Sequence, residues 1–198
     1  MGPDTLGEAG AVEGSGIGQV RAFFGLPLPE EHRAQLDAYL AACATAAPGF
    51  RWTPAANLHL TIRFLGQVDQ GLAEGIAGHL ETANLRGFQL RLGESGIFRR
   101  GRLARVVWIG LAEGEEPARL LAAAVEGECV RAGLEPEARR FSPHLTLARA
   151  RTRDGAPPPH LPPPPDLPAW RADGLVLYRS HLGRAGSVYE PLRTLRLG

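Results

Sequence analysis

A chain of 198 residues with 44% hydrophobic and 22% charged side chains has the make-up of an ordinary globular protein rather than a disordered or fibrous one. Its length suits a single core, or one domain built of two lobes, and leaves little material for two large domains. A formal net charge of +1 excludes the strongly basic field that long duplex nucleic acid demands, so a short or terminal anionic substrate fits better.

The first eighteen residues, rich in Gly, Glu and Ala, lack the basic start and apolar segment of a secretory signal and read as a flexible tail preceding one domain over 19–198. Gln19 to Leu26 is apolar and aromatic and stops at Pro-Leu-Pro, which predicts a first strand. Pro29 suits a helix start, and Leu36, Tyr39, Leu40 and Cys43 recur at helical spacing to about Ala46, before Pro48 and Gly49. Phe50 to Thr53 and Leu58 to Leu65 read as strands separated by a Pro-Ala-Ala-Asn turn. In the second, Leu58, Leu60, Ile62 and Phe64 alternate with His59, Thr61 and Arg63.

Asp69 is placed to cap a helix carrying Leu72, Ile76, His79 and Leu80, which Gly71, Gly75 and Gly78 weaken. Phe88 to Leu92 and Leu103 to Leu111 predict two strands joined through a hairpin region containing Arg99, Arg100 and Gly101. A long helix follows from about Pro117 to a glycine stop at Gly133. Arg140 to Ala148 returns to alternation, with His144 and Thr146 on one face and Leu145 and Leu147 on the other. The proline-dense stretch 155–168 is expected to be a stiff exposed loop. Strands Leu175 to Leu182 and Val188 to Leu197, linked by Gly183 to Gly186, close the chain.

This order predicts an α+β protein with two mainly antiparallel sheets and helices packed outside. Each half holds an apolar strand, a helix and then a strand bearing His-Leu-Thr-aliphatic, as a bilobal fold with pseudo-twofold symmetry and a cleft between its lobes would. No apolar run reaches the roughly 20 residues of a membrane helix. Two cysteines, Cys43 and Cys129, are too few for a disulfide framework and read as buried thiols in the cytoplasm.

One His-x-Thr tripeptide carries little information. A histidine acquires the sequel Leu-Thr-Ile or Leu-Thr-Leu by chance only about once in a thousand occurrences, and the chain has six histidines, so two copies at His59 and His144 are informative. Residues i and i+2 of a strand share a face, so each motif offers an imidazole and a hydroxyl. Two such strands across a cleft would surround one anion with two imidazoles and two hydroxyl donors. With a pKa near 6.5, one imidazole can activate water while the other protonates a leaving oxygen. Thr61 and Thr146 would donate to the phosphate oxygens on which charge concentrates.

All 22 cationic side chains are arginines, whose planar fork grips phosphate bidentately, and they concentrate at 99–105, 139–140 and 149–153. Singly, most are expected to be solvated surface charges, Arg149 excepted. Arg63 shares the parity of His59 and is a candidate substrate contact, with a structural ion pair as its competing role. Phe141 and Tyr178 are candidates to stack on a base, and Trp52 reads as core. His32 and His79 have no ligand-spaced partner, His160 lies in the proline-dense stretch, His181 falls in a strand with nothing to set it apart from a surface residue, and no H-x-x-x-H or C-x-x-C occurs, so neither a metal nor a cofactor is expected.

The stretches RWTPAANLHLTIRFLGQV and GLEPEARRFSPHLTLARAR, with RAFFGLPLP and more loosely YRSHLGRAGSVYEPL, resemble the two-histidine (2H) phosphoesterase superfamily, in particular the RNA 2′,3′-cyclic phosphodiesterases formerly called 2′-5′ RNA ligases. The resemblance extends over most of the chain from about Val20. It implies the bilobal α+β fold and metal-independent hydrolysis of a terminal 2′,3′-cyclic phosphate to a 2′-phosphate. By the same resemblance His59 is the general acid, His144 the general base, and Thr61, Thr146 and Arg149 hold the phosphate. The implied partners are RNA ends, with neither membrane nor obligate protein partner, and a monomer is expected. RNA ligation through the same site and non-catalytic RNA-end binding are the alternatives, the second disfavoured because a binder needs no pair of imidazoles. Five positions after His144, Arg149 would face away in an unbroken strand, so the strand must bend or end near Ala148.

Overall fold

The computed structural model describes residues 18–183 and 186–198; the expected tail, apart from Gly18, and part of the Gly183 to Gly186 link lie outside the described residues. Strands β1 (Gln19–Pro27), β2 (Phe50–Trp52), β3 (His59–Asp69), β4 (Phe88–Arg100), β5 (Leu103–Glu113), β6 (Leu145–Ala150), β7 (Trp170–Ala172), β8 (Gly174–Gly183) and β9 (Gly186–Arg196) are all paired antiparallel. Helices α1 (Glu30–Ala46), α2 (Gln70–Thr82) and α3 (Glu115–Arg131) occupy the predicted places. Asp69 caps α2 by accepting from the Leu72 N–H at 3.1 Å, and Gly133 (φ +88°) ends α3 in the left-handed conformation that a side chain would strain. Glycines within α2 are tolerated because Ala73, Ile76, Ala77 and Leu80 bury its other face against the sheet.

Strand order runs β7-β4-β5-β6-β3-β1-β8-β9, with β2 pairing β6 from the side. The expected two sheets are thus two halves, β6-β5-β4-β7 and β3-β1-β8-β9, each with its His-Leu-Thr segment innermost. They meet through one residue pair, Leu60 with Leu145, both buried. Helix α2 packs on β1, β3, β8 and β9, and α3 packs on β3 and α2. Helix α1 packs at β2 and reaches the other half, where His32 Nε2 meets the Pro168 carbonyl at 2.8 Å and the Tyr39 hydroxyl donates to the Pro162 carbonyl at 3.1 Å. These bonds hold the proline-rich stretch, which has no regular structure beyond the Ala104–Ala156 bridge. A single apolar cluster, including Phe24, Leu36, Leu60, Ile109, Leu145 and Leu177, runs beneath both halves.

Three local expectations are corrected. Strand β4 continues past Leu92 to Arg100, because the Gly- and Ser-containing stretch after it is held by pairing with β5 through register shifts rather than by its own propensity. Strand β7, unexpected at three residues, is fixed by pairing Trp170–Ala172 with Phe88–Leu90. His144 lies just before β6, since no described strand covers 140–144.

Candidate active site

Leu60 and Leu145 face each other in an antiparallel pair, so the register sets His59 beside Thr146 and Thr61 beside His144. Alternation sends the two leucines into the core and the four polar side chains together onto the opposite, cleft face. The quartet therefore has a local twofold axis through the leucine pair.

Both histidines are oriented by the same device. His59 Nδ1 lies 2.8 Å from the Asn57 carbonyl and His144 Nδ1 lies 2.7 Å from the Ser142 carbonyl, each two residues upstream. A carbonyl oxygen only accepts, so Nδ1 carries the hydrogen and leaves each Nε2 free for proton exchange. The Ser142 carbonyl is itself supported from α3, where Arg119 Nη1 donates to the adjacent Phe141 carbonyl at 2.7 Å.

A β-bulge follows each motif at the same offset. In β3, Thr61 pairs with Gly25 and Arg63 with Phe24, which leaves Ile62 as the extra residue. In β6, Thr146 pairs with Trp108 and Ala148 with Val107, which leaves Leu147 extra. A bulge inverts the parity beyond it. Leu147 and Ala148 are both buried, and Arg149 returns to the cleft face beside Thr146. The bend anticipated near Ala148 is thus this bulge.

After the same inversion Arg63 makes the structural ion pair that competed with its role as a substrate contact, while still lining the groove beside Thr61. Its side chain turns to α3, where Nε meets Glu126 at 2.5 Å, Nη1 meets Glu137 at 3.4 Å and Nη2 donates to the Glu135 carbonyl at 2.7 Å. Phe64, which the alternation set on the face of Leu60, instead emerges beside Phe23 with ring centroids 5.6 Å apart, and is 47% exposed. Phe64 and Arg149 occupy equivalent positions, five residues after His59 and His144 respectively.

An aromatic floor supports the imidazoles. Phe23, fully buried on the cleft face, packs 4.6 Å from His59 and stacks on Tyr178 at 5.1 Å; Tyr189 meets the His59 ring edge-on at 5.0 Å. Tyr178 is thus held against the back of the site by one face and stays partly exposed. A Cβ on Gly25 would stand 3.3 Å from the His59 ring, so the absence of a side chain there lets the imidazole lie close to β1. Across the cleft, Phe98 lies edge-on to His144 at 4.9 Å and is 37% exposed, while Trp108 lies 6.4 Å from His144. Phe23, Phe64, Phe98, Trp108 and Tyr189 were not anticipated from sequence; a pairing register, had it been readable, would have placed them on this face. A groove of about 840 Å³ leads from Thr61 and His144 past Phe64, Phe98 and Phe141 to α3.

Burial lowers the pKa of His59 to about 4, with the nearby positive charge of Arg149 and then His144 adding to the effect, against the Asn57 carbonyl. Burial, then Arg149, also lowers His144, against the Ser142 carbonyl. The cleft thus holds two neutral imidazoles beside a guanidinium. An entering anion would neutralise that charge and raise both proton affinities, so the site is poised to take up a proton with its ligand.

The other sequence candidates lie elsewhere. Phe141 is partly buried in the groove wall. Trp52 packs on the core with Nε1 donating to the Ala47 carbonyl at 3.2 Å. His181 pairs with Glu190 on the surface at 2.8 Å, His79 is exposed on α2, and His32 is fully buried. Cys43 and Cys129 are free and buried. Among the described residues, no group of three or more His, Cys, Asp or Glu side chains forms a metal-binding cluster, and no helix is long and apolar enough to cross a membrane.

The LigT like Phosphoesterase family profile matches the chain twice, over residues 26–108 and 109–189, one match for each histidine motif. The RNA 2′,3′-cyclic phosphodiesterase of Escherichia coli is 31% identical over 173 residues, covering 87% of this chain and 94% of that protein. The RNA 2′,3′-cyclic phosphodiesterase of Thermus thermophilus is 35% identical over 193 residues, covering 90% of each. The crystal structure of E. coli LigT complexed with 3′-AMP superposes with a TM-score of 0.77 at 29% identity, covering 91% of this chain and 99% of that one. With the family profile matching both halves and relatives similar over nine-tenths of its length, the chain belongs to the LigT-like phosphoesterase family.

Proposed function

We propose that this protein hydrolyses the terminal 2′,3′-cyclic phosphate of RNA to a 2′-phosphate by proton transfer between two histidines, without a metal. The observation that carries this reading is the facing register of the motifs, which gathers two imidazoles with outward Nε2 atoms, two threonines and Arg149 on one face. His144 takes a proton from water as the water oxygen bonds to phosphorus. His59 gives its proton to O3′ as the P–O3′ bond breaks, and solvent exchange restores both imidazoles. Thr61, Thr146 and Arg149 hold the non-bridging oxygens. Because His59 is neutral before substrate enters, its role as acid requires the bound phosphate anion to raise its proton affinity, so that it takes up a proton from solvent on binding. Phe64 and Phe98, exposed on either side of the histidines, offer faces on which a terminal base can stack. The enzyme is read as a single-domain cytoplasmic protein, in keeping with its free buried thiols.

The test is to incubate the protein in EDTA with an RNA ending in a 2′,3′-cyclic phosphate and identify the product phosphate. A 2′-phosphate is expected, and an untouched end, or turnover only with added divalent metal, overturns the reading. Alanine at either histidine should lower turnover by about 10²–10⁴-fold. The acid and base separate on a nitrophenyl phosphodiester, whose leaving group needs no proton: His59→Ala should retain its activity there, whereas His144→Ala should not. The opposite pattern reverses the assignment.

A further inference from the structure

Arg51 and Arg149 face each other directly across the β2–β6 pair. Side chains so opposed have Cβ atoms about 5 Å apart, and like charges there are destabilising. Some guanidinium groups are matched to carboxylates, Arg33 to Glu30, Arg91 to Asp166 and Arg193 to Glu81 among them. Among the described residues neither Arg51 nor Arg149 has such a partner. The other neighbour of Arg149, across β5, is the uncharged Val106.

The arrangement is not imposed by packing. Phe50 is buried and Trp52 packs on the core, while Arg51 between them is exposed on the face that carries Arg149. Strand β3 contacts β6 at Leu145, and β2 takes over the same edge at Ala148–Ala150. Arg51 therefore lies beside Arg149, on the edge of β6 that β3 vacates beyond the histidine motifs. A single phosphate held between the histidines and Arg149 would leave Arg51 without an anion.

We propose that Arg51 grips a second phosphate, the one joining the terminal nucleotide to its 5′ neighbour, so that the cleft is built for an RNA strand rather than for a free cyclic nucleotide. The proposal rests on the cyclic phosphodiesterase reading above and extends it to the class of substrate. The planar guanidinium fork suits a phosphodiester with two free oxygens, and the charge pair is relieved when each arginine has its own phosphate.

The test compares wild type, Arg51→Ala and Arg51→Lys on a 2′,3′-cyclic nucleotide and on a short RNA with the same cyclic 3′ end. In Arg51→Ala the ratio of kcat/KM on RNA to that on the nucleotide should fall about tenfold, the worth of a charge-assisted hydrogen bond, with Arg51→Lys intermediate. The slope of log(1/KM) against log salt for RNA should become shallower by about 0.7. A ratio unchanged by Arg51→Ala, whether both substrates lose activity equally or neither does, overturns the proposal. Wild type inactive on both substrates would instead overturn the phosphodiesterase reading, and the proposal with it.

Discussion

Replacing His59 with glutamine should make the protein less sensitive to acid. In the unfolded chain the imidazole titrates near 6.5, and in the fold near 4. Between those values the unfolded state binds a proton that the folded state refuses, so stability falls as pH falls, by about 1.4 kcal/mol per pH unit. By pH 5 the wild type has lost about 2 kcal/mol through this residue alone. For a protein of this size that corresponds to a relative drop in Tm of about 4–8 °C. The glutamine amide keeps a donor for the Asn57 carbonyl but does not titrate, and His144 contributes a slope of the same sign to both proteins. The assay is thermal unfolding of wild type and His59→Gln from pH 7.5 to 4.5, read as the difference in Tm. That difference should move in favour of the variant as pH falls, and saturating phosphate should diminish the movement by raising the folded-state pKa. Parallel Tm profiles would refute the inference that burial keeps His59 neutral.

Two further outcomes follow from contacts around the site. Arg119→Ala removes the guanidinium that holds the Phe141 carbonyl beside Ser142; kcat should fall about tenfold with KM little changed, and a loss confined to KM would show that Arg119 does not position His144. Asp69→Ala should destabilise the protein by about 1 kcal/mol in denaturant melts through loss of the Leu72 cap, with Asp69→Asn close to wild type.

The elements that periodicity could locate were those whose apolar side chains repeat without interruption: α1, α3, β1 and the start of β3. The meeting of the two motifs was legible because His59 and His144 each precede a core leucine and a threonine. The bulges were not, since Ile62 and Leu147 are apolar residues followed by another inward residue, and a sequence does not mark which of two neighbours is unpaired. Reading β3 as unbroken set Arg63 on the face of His59 and Phe64 on that of Leu60, whereas Arg63 is drawn to Glu126 and Phe64 lies exposed beside Phe23. For Arg149 the parity conflict itself signalled the bend. Strand β4 beyond Leu92 escaped notice because Gly93, Glu94, Ser95 and Gly96 have low strand propensity and are held by their partner strand. The aromatic floor drew residues from β1, β8 and β9, which only the fold brings together.

The twofold axis through Leu60 and Leu145 has a bearing on how a substrate is told its direction. Two interchangeable histidine-threonine halves would receive a cyclic phosphate equally well either way round, and half of all encounters would present the wrong oxygen to the wrong imidazole. The equivalent positions after the bulges carry Phe64 in one half and Arg149 in the other, an apolar ring against a cation. A nucleotide is itself lopsided in that way, a base at one end and phosphates at the other. A repeated scaffold of this kind needs to diverge at few places to acquire a handedness, while the duplicated parts continue to supply matched proton carriers.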